Sequence, residues 1–511
     1  MRAAVHNRRM PAPLTCPFTL EEATIAGVHA AYRSGALSTV ELVRACLARI
    51  EAYDRHGPAL RALLAVNPRA LEEAARLDAA WRADPRRAGP LHGIPVILKD
   101  NFDTCDLPTT GGSVAMRESR PRTDAFTVER LRQAGALILA KSNLQEFARG
   151  GISISSLGGQ TLNPYDLTRT PGGSSGGTGA AIAAGFALVG TGSDTGQSIR
   201  SPASACCLVG VRPTRGLVSR AGVMPNSLTQ DEAGPIARTA EDAARLLDVM
   251  AGFDPRDPVT ALGVGRAPGN YASALRADAL HGARIGLLEN LCGNEERHAP
   301  VNAVMEQVVR VMEGQGATLV RLRIDGLEEL ASRVSTDRWE ARAAFDAYFA
   351  GLGPDQPVTS FRQLVATQTA VPEIQRAMEA ELAIEDGLAD PEYLQRLANR
   401  DRLRVLLASR MAQLRLDALL YPLQRILVVP TGCTEQAERN GVLSHGTGFP
   451  AVTFPGGFSQ PTASAPLGVP VGAELLGPDF SEARLLSYAH AFEQAARMRK
   501  APRSTPPLSG S

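Results

Sequence analysis

Lysine is almost missing from this chain of 511 residues: among 54 basic side chains only Lys99, Lys141 and Lys500 are lysine, and the other 51 are arginine. A guanidinium stays protonated above roughly pH 12, whereas a desolvated amine can lose its proton, so a site that needs a neutral amine must keep lysine. Lys500 lies in a polar tail, which leaves Lys99 and Lys141 as interior candidates. Cysteine is sparse and unpatterned. The seven thiols (16, 46, 105, 206, 207, 292, 433) form no Cys-x-x-Cys pair, which argues against a disulfide framework and a zinc site and suits a reducing, cytoplasmic setting. Cys206 and Cys207 read as core thiols. No apolar run approaches the roughly 18 residues of a membrane span, and the basic start lacks the apolar stretch of a signal peptide. A net charge of +1 provides no field to steer nucleic acid or an anionic membrane. The expected partner is a small, weakly charged molecule, and a homodimer stays open.

What is present is an ordinary globular composition, with 44% hydrophobic and 21% charged residues. Thr19-x-x-Glu22 and Ser38-x-x-Glu41 read as capping boxes that open two amphipathic helices. From residue 91 short apolar runs alternate with helical segments: a strand over Ile94 to Leu98, a helix around Val128 to Ala134, a strand over Ala136 to Ala140. Strands are also expected at Leu208 to Val211, Gly216 to Val218, Ala283 to Leu288, Ala317 to Leu322, Asp417 to Pro422 and Ala451 to Pro455. Helices are expected over Thr239 to Met250, near 301 to 314, through most of 327 to 415, and from Ser481 to about Arg497. The pattern predicts an α/β fold: one large domain with a mixed central sheet covered by helices on both faces. The expected layout is an arm over 1–18, a domain over 19–500 and a mobile tail over 501–511. Within the domain, 19–90 supplies the opening helices, 91–260 the catalytic core and 327–415 a helical region on the substrate side.

Two glycine and serine clusters carry the chemistry. Gly172-Gly173-Ser174-Ser175-Gly176-Gly177 and Gly192-Ser193-Asp194-Thr195-Gly196-Gln197-Ser198-Ile199-Arg200 flank an Ala-rich apolar segment, and Lys99 ends an apolar strand upstream. Together they offer hydroxyl nucleophiles, an amine base and glycine-rich backbone able to present N–H groups to an oxyanion. A phosphate loop would need Gly-Lys-Ser/Thr, and Gly176-Gly177-Thr178 has no lysine. The stretch Gly172 to Gly176 also satisfies Gly-x-Ser-x-Gly, which would make Ser174 the nucleophile of a Ser-His-Asp hydrolase with a histidine such as His445. That motif must follow a strand, and a proline-bounded, turn-like stretch precedes it here.

The run Pro171-Gly-Gly-Ser-Ser-Gly-Gly-Thr-Gly-Ala, followed by Gly192 to Pro202, resembles the signature of the amidase signature family. Further stretches support the resemblance over about residues 20 to 500: His92 to Asn101, Thr109 to Ser113, Lys141 to Phe147, Gly159 to Tyr165, Gly234 to Arg238 and Gly448 to Val452. The helical stretch 327–415 is matched least. The resemblance implies that Ser198 is the nucleophile, Ser174 a bridging serine in a cis peptide with Gly173, and Lys99 the base. It also implies that the backbone N–H groups of Thr195, Gly196, Gln197 and Ser198 receive the oxyanion, with no metal or organic cofactor.

The physical reading of these residues agrees. A lysine at the buried end of an apolar strand is desolvated, which lowers its pKa toward neutrality. Asp194 and Arg200 read as a structural pair holding the nucleophile loop, and Lys141 reads as structural. Gln197 departs from the glycine that many relatives carry before the nucleophile. The expected activity is hydrolysis of a small or medium linear carboxamide or anilide through an acyl-enzyme, by a free-standing amidase. The alternatives are a glutamine-dependent amidotransferase A-type subunit, the Ser-His-Asp hydrolase, and an inactive binding scaffold.

Overall fold

The computed structural model describes residues 19–508; the arm expected over 1–18 and the last three residues lie outside them. Thirteen strands are described: β1 (Leu63–Val66), β2 (Pro95–Lys99), β3 (Leu137–Ser142), β4 (Ile154–Ser155), β5 (Gly159–Gln160), β6 (Val189–Asp194), β7 (Val209–Arg212), β8 (Glu232–Ala237), β9 (Arg284–Leu288), β10 (Thr318–Leu322), β11 (Ala418–Pro422), β12 (Ala451–Phe458) and β13 (Pro470–Leu476). Eleven of them form one sheet in the order β1-β3-β2-β6-β8-β7-β12-β13-β11-β9-β10, and β4 and β5 pair as a small hairpin. The large sheet is mixed. β2 runs parallel to β3 and β6, β9 runs parallel to β10 and β11, and β6 and β8 are antiparallel. Helices flank this sheet, giving the single α/β domain expected from the sequence.

Local chemistry sets the helix starts. Ser38 and Glu41 form a capping box at the head of helix Thr39–Ile50, and Thr239 accepts from the N–H of Asp242 at the head of helix Ala240–Met250. The box expected at Thr19 does not form. Leu20–Glu22 makes a single 3-10 turn, and the helix begins at Ile25 with Thr24 accepting from Gly27 N. Glu22, the side chain that would have folded back, is paired with Arg499 instead. The strand expected at Gly216 to Val218 is reduced to one bridge between Val218 and Ala251. Gly216 has φ +83°, and a Cβ there would lie 2.4 Å from Val259 O, so the chain turns instead of extending.

The tail expected to be mobile is docked as far as it is described. Arg49 donates to Thr505 O and Pro506 O at 2.7 and 3.0 Å, and Tyr53 donates to Pro506 O at 2.7 Å. Helices Asp337–Leu352, Phe361–Ala366 and Pro372–Leu382 gather Phe345, Phe349, Phe361 and Met378 around Met116, Phe147 and Met224. The Phe147 and Phe345 rings meet edge to face with centroids 5.9 Å apart. This cluster packs these helices against Met116, Phe147 and Met224 of the segment 91–260.

Candidate active site

The ends of the neighbouring parallel strands β2 and β6 place Lys99 beside Ser193 and Asp194, the position where open α/β sheets hold their sites. Every residue of β2 is buried, so Lys99 reaches its position through apolar packing and is 0% exposed. Its Nζ lies 2.7 Å from Ser174 Oγ, 2.8 Å from Ser193 Oγ and 3.2 Å from Ser193 O. Among the described residues no carboxylate pairs with this amine. Burial pushes the lysine down to about 7, against the opposing pull of Asp194 and Asp231.

Ser174 precedes helix Gly176–Ala183, and its peptide with Gly173 is cis. The glycines around it answer to close packing. A Cβ on Gly173 would sit 2.7 Å from Gly151 C, and one on Gly177 would sit 2.2 Å from Asn143 O. The segment 143–153 can therefore grip the turn. Gln145 N donates to Ser174 O at 2.9 Å, and Ser153 Oγ donates to Gly172 O at 2.8 Å while accepting from Gly176 N at 3.0 Å.

Ser198 sits against this turn, its carbonyl accepting from Ser175 N at 3.2 Å. Ser198 Oγ makes no hydrogen bond among the described residues. Nor do the N–H groups of Thr195, Gly196, Gln197 and Ser198 find an acceptor there. A Cβ on Gly196 would meet nothing within 4 Å, so the loop faces open space at that residue. An unbonded hydroxyl beside four unbonded N–H groups can attack a carbonyl and receive the resulting oxyanion.

Asp194 and Arg200 form the structural pair expected. Arg200 Nε donates to Asp194 Oδ2 at 3.0 Å, Arg212 Nη1 donates to Asp194 Oδ1 at 2.8 Å, and Arg200 Nη1 donates to Glu474 Oε1 at 2.7 Å. Burial alone would raise the Asp194 carboxyl, yet the two guanidinium groups hold it well below the usual carboxylate range. Thr195 is anchored by Asp231, which accepts its hydroxyl at 2.6 Å, and by Gln230 Nε2, which donates to its carbonyl at 3.2 Å. Gln197 Oε1 accepts from Gly441 N at 3.3 Å, and its Nε2 is buried without a partner. Lys141 is structural, with Nζ 2.9 Å from Asp100 Oδ1 and donating to Pro108 O at 2.8 Å.

The Ser-His-Asp alternative is overturned. No strand leads into Ser174, whose hydroxyl contacts Lys99, and no described histidine hydrogen-bonds Ser174 or Ser198. His445 lies buried on the short helix Val442–Thr447, where burial and then the charges of Arg212, Arg400 and Arg200 push its pKa down. Among the described residues no group of three His, Cys, Asp or Glu side chains could hold a metal ion. Sequence reasoning missed Ser193, Asn101, Gln145 and Ser153 as supports of the site. Ser193, Asn101 and Gln145 lie inside motifs already singled out and Ser153 lies between two of them, but only their folded contacts reveal the role.

The family model described as Amidase matches residues 41–486. The chain belongs to the amidase signature family. Members similar to it include the A-type subunit of the glutamyl-tRNA(Gln) amidotransferase of Halorhodospira halophila, 36% identical over 500 residues that cover 94% of this chain and 99% of that protein. Among solved structures, the native peptide amidase of Stenotrophomonas maltophilia superposes with a TM-score of 0.86 at 36% identity, covering 96% of this chain and 100% of that one. The A-type subunit of the glutamyl-tRNA(Gln) amidotransferase of Thermotoga maritima superposes with a TM-score of 0.73 at 26% identity, covering 95% and 99%. As an amidase signature protein, the chain is a serine-dependent enzyme of the amidohydrolase and amidotransferase class.

Proposed function

We propose that this chain is a free-standing, cytoplasmic amidase that hydrolyses the C–N bond of a small or medium linear carboxamide or anilide, peptide amides included. The observation that carries the reading is a buried lysine without a carboxylate partner among the described residues, in contact with the hydroxyl of Ser174, whose neighbour Ser175 bonds the carbonyl of Ser198. In this reading Ser198 Oγ attacks the amide carbonyl carbon as its proton passes to Ser174 and the Ser174 proton passes to Lys99 Nζ. The carbonyl electron pair moves onto oxygen, where the N–H groups of Thr195, Gly196, Gln197 and Ser198 receive it; one such donor is worth about 2.7–4 kcal/mol in the barrier. Collapse breaks the C–N bond, Ser174 protonates the leaving nitrogen, and Lys99 returns its proton to Ser174. Water then clears the acyl-enzyme through the same relay. No step uses a metal or an organic cofactor.

The helical segment 327–415 is assigned to the substrate side because its aromatic cluster reaches Met224, whose carbonyl accepts from Asn101 Nδ2 at 3.1 Å. A second reading, in which the chain works inside an amidotransferase complex, is favoured by the 36% identity to the Halorhodospira protein. The closer superposition on the peptide amidase, 0.86 against 0.73, favours the free-standing enzyme. Purified chain, without partners, should hydrolyse members of a panel of aryl, alkyl and peptide amides, and a fluorophosphonate probe should label it unless Ser198→Ala is present. Inactivity on the whole panel, with glutaminase activity appearing only in a complex, would select the amidotransferase reading.

A further inference from the structure

Lys99 Nζ has three neighbours, and two belong to one residue: Ser193 presents its hydroxyl at 2.8 Å and its carbonyl at 3.2 Å. A neutral amine has two hydrogens and one lone pair. If both hydrogens are taken by the two oxygens of Ser193, the lone pair is left facing the third neighbour, Ser174 Oγ at 2.7 Å. Ser193 is fixed for this task from two sides. Asn101 Nδ2 donates to Ser193 Oγ at 3.0 Å and to Met224 O at 3.1 Å, and Ser175 Oγ donates to Ser193 O at 3.3 Å. Asn101, Ser193 and Lys99 are all buried, so no bulk water competes for these hydrogens.

We propose that Ser193 is a positioning residue for the base, a two-oxygen clamp set by Asn101 that points the lone pair of neutral Lys99 at Ser174. The proposal rests on the reading of Lys99 as the base and adds what orients it. The clamp also has an electrostatic consequence. In the ammonium form all three hydrogens find acceptors, and the hydrogen bond to Ser193 Oγ is then charge-assisted and stronger than the same bond to a neutral amine. Removing that hydroxyl therefore weakens the charged form more than the neutral form. A carboxylate at position 101, reaching Lys99 through Ser193, does the reverse. The charged groups that bear on Lys99 are Asp194, next to Ser193 on β6, and Asp231, from the loop before β8.

The experiment is the pH dependence of kcat and kcat/KM for wild type, Ser193→Ala, Asn101→Asp and Lys99→Ala on one amide that the wild type turns over. For Ser193→Ala the plateau of kcat should fall about tenfold, with KM within about twofold, and the acidic limb should move down by about one pH unit. Asn101→Asp should move the limb up, which a merely structural defect does not produce, and it decides the matter if Ser193→Ala does not fold. Both limbs unmoved while Lys99→Ala is inactive would overturn the clamp and leave the base assignment standing. Full turnover by Lys99→Ala would overturn the base assignment and the clamp with it.

Discussion

Lys141 Nζ lies 2.9 Å from the Asp100 carboxylate, whereas Lys99, the residue before that aspartate, contacts two serines and no acid. Adjacent chain positions at the end of β2 thus serve opposite ends. Asp100 neutralises the neighbouring strand's lysine, and Lys99 is left as a buried amine whose charge nothing pairs. Those two partnerships separate the two interior lysines more sharply than sequence context does.

On the proposed mechanism activity should rise with pH through about 7, because a lysine serving as the base works only when neutral and burial sets the Lys99 pKa there. Lys99→Ala should lower kcat by about 10²–10⁴-fold, the usual worth of a positioned base. Lys99→Arg should be no better, since a guanidinium does not give up its proton in this range. Steady-state kinetics of the three proteins across a pH range of about 5 to 10, which brackets the folded value and approaches the ordinary lysine value, is the measurement.

The same burial makes Lys99 a cost to the fold. Its pKa is about 7 when folded against a reference of 10.5, so between those values the unfolded chain binds more protons. Its contribution to stability therefore rises as pH climbs from about 7 to about 10.5 and is worst below 7. Denaturation of wild type and Lys99→Met should show the wild type gaining on the variant over that window. A constant difference would contradict the expectation.

Gly441 touches the loop that carries Gly196 and Gln197. A Cβ there would lie 2.5 Å from Gln197 Cβ and 2.7 Å from Gly196 O, so Gly441→Ala must displace the segment that carries the proposed oxyanion donors. An expected loss of at least about tenfold in kcat follows from the tight distances those donors require. Fluorophosphonate labelling should slow in parallel with kcat.

Arg200→Ala should destabilise the protein by about 3–5 kcal/mol, because it strips a partner from two buried carboxylates, Asp194 and Glu474. Urea denaturation measures the loss. A variant as stable as wild type would show that the cluster does not hold the loop.

Much of this architecture is legible in the sequence where a pattern has a local cause. Ser38 and Glu41 announce a helix by reciprocal hydrogen bonds, and Ile94 to Leu98 announces a strand by unbroken apolarity. The strand Val189–Asp194 is not legible, because its glycines argue against extended structure. They are there for close approach: a Cβ on Gly190 would lie 2.5 Å from Thr178 Cγ2, and one on Gly192 would lie 2.8 Å from Ile199 Cγ1. Strand Glu232–Ala237 hides for the same reason, with a Cβ on Gly234 falling 2.1 Å from Val211 O. The candidate site divides similarly. Lys99, Ser174 and Ser198 stand out by residue type and spacing, whereas the bond between Asn101 and Ser193 joins residues 92 apart and has no local signature.

Arg49 is bonded to the carbonyls of Thr505 and Pro506, the former 456 positions further along. During synthesis its guanidinium therefore waits for 456 further residues to be made before the first of these two acceptors exists. The opening helical layer can be completed only once residues 505 and 506 have left the ribosome, so its closure follows the synthesis of the sheet between them.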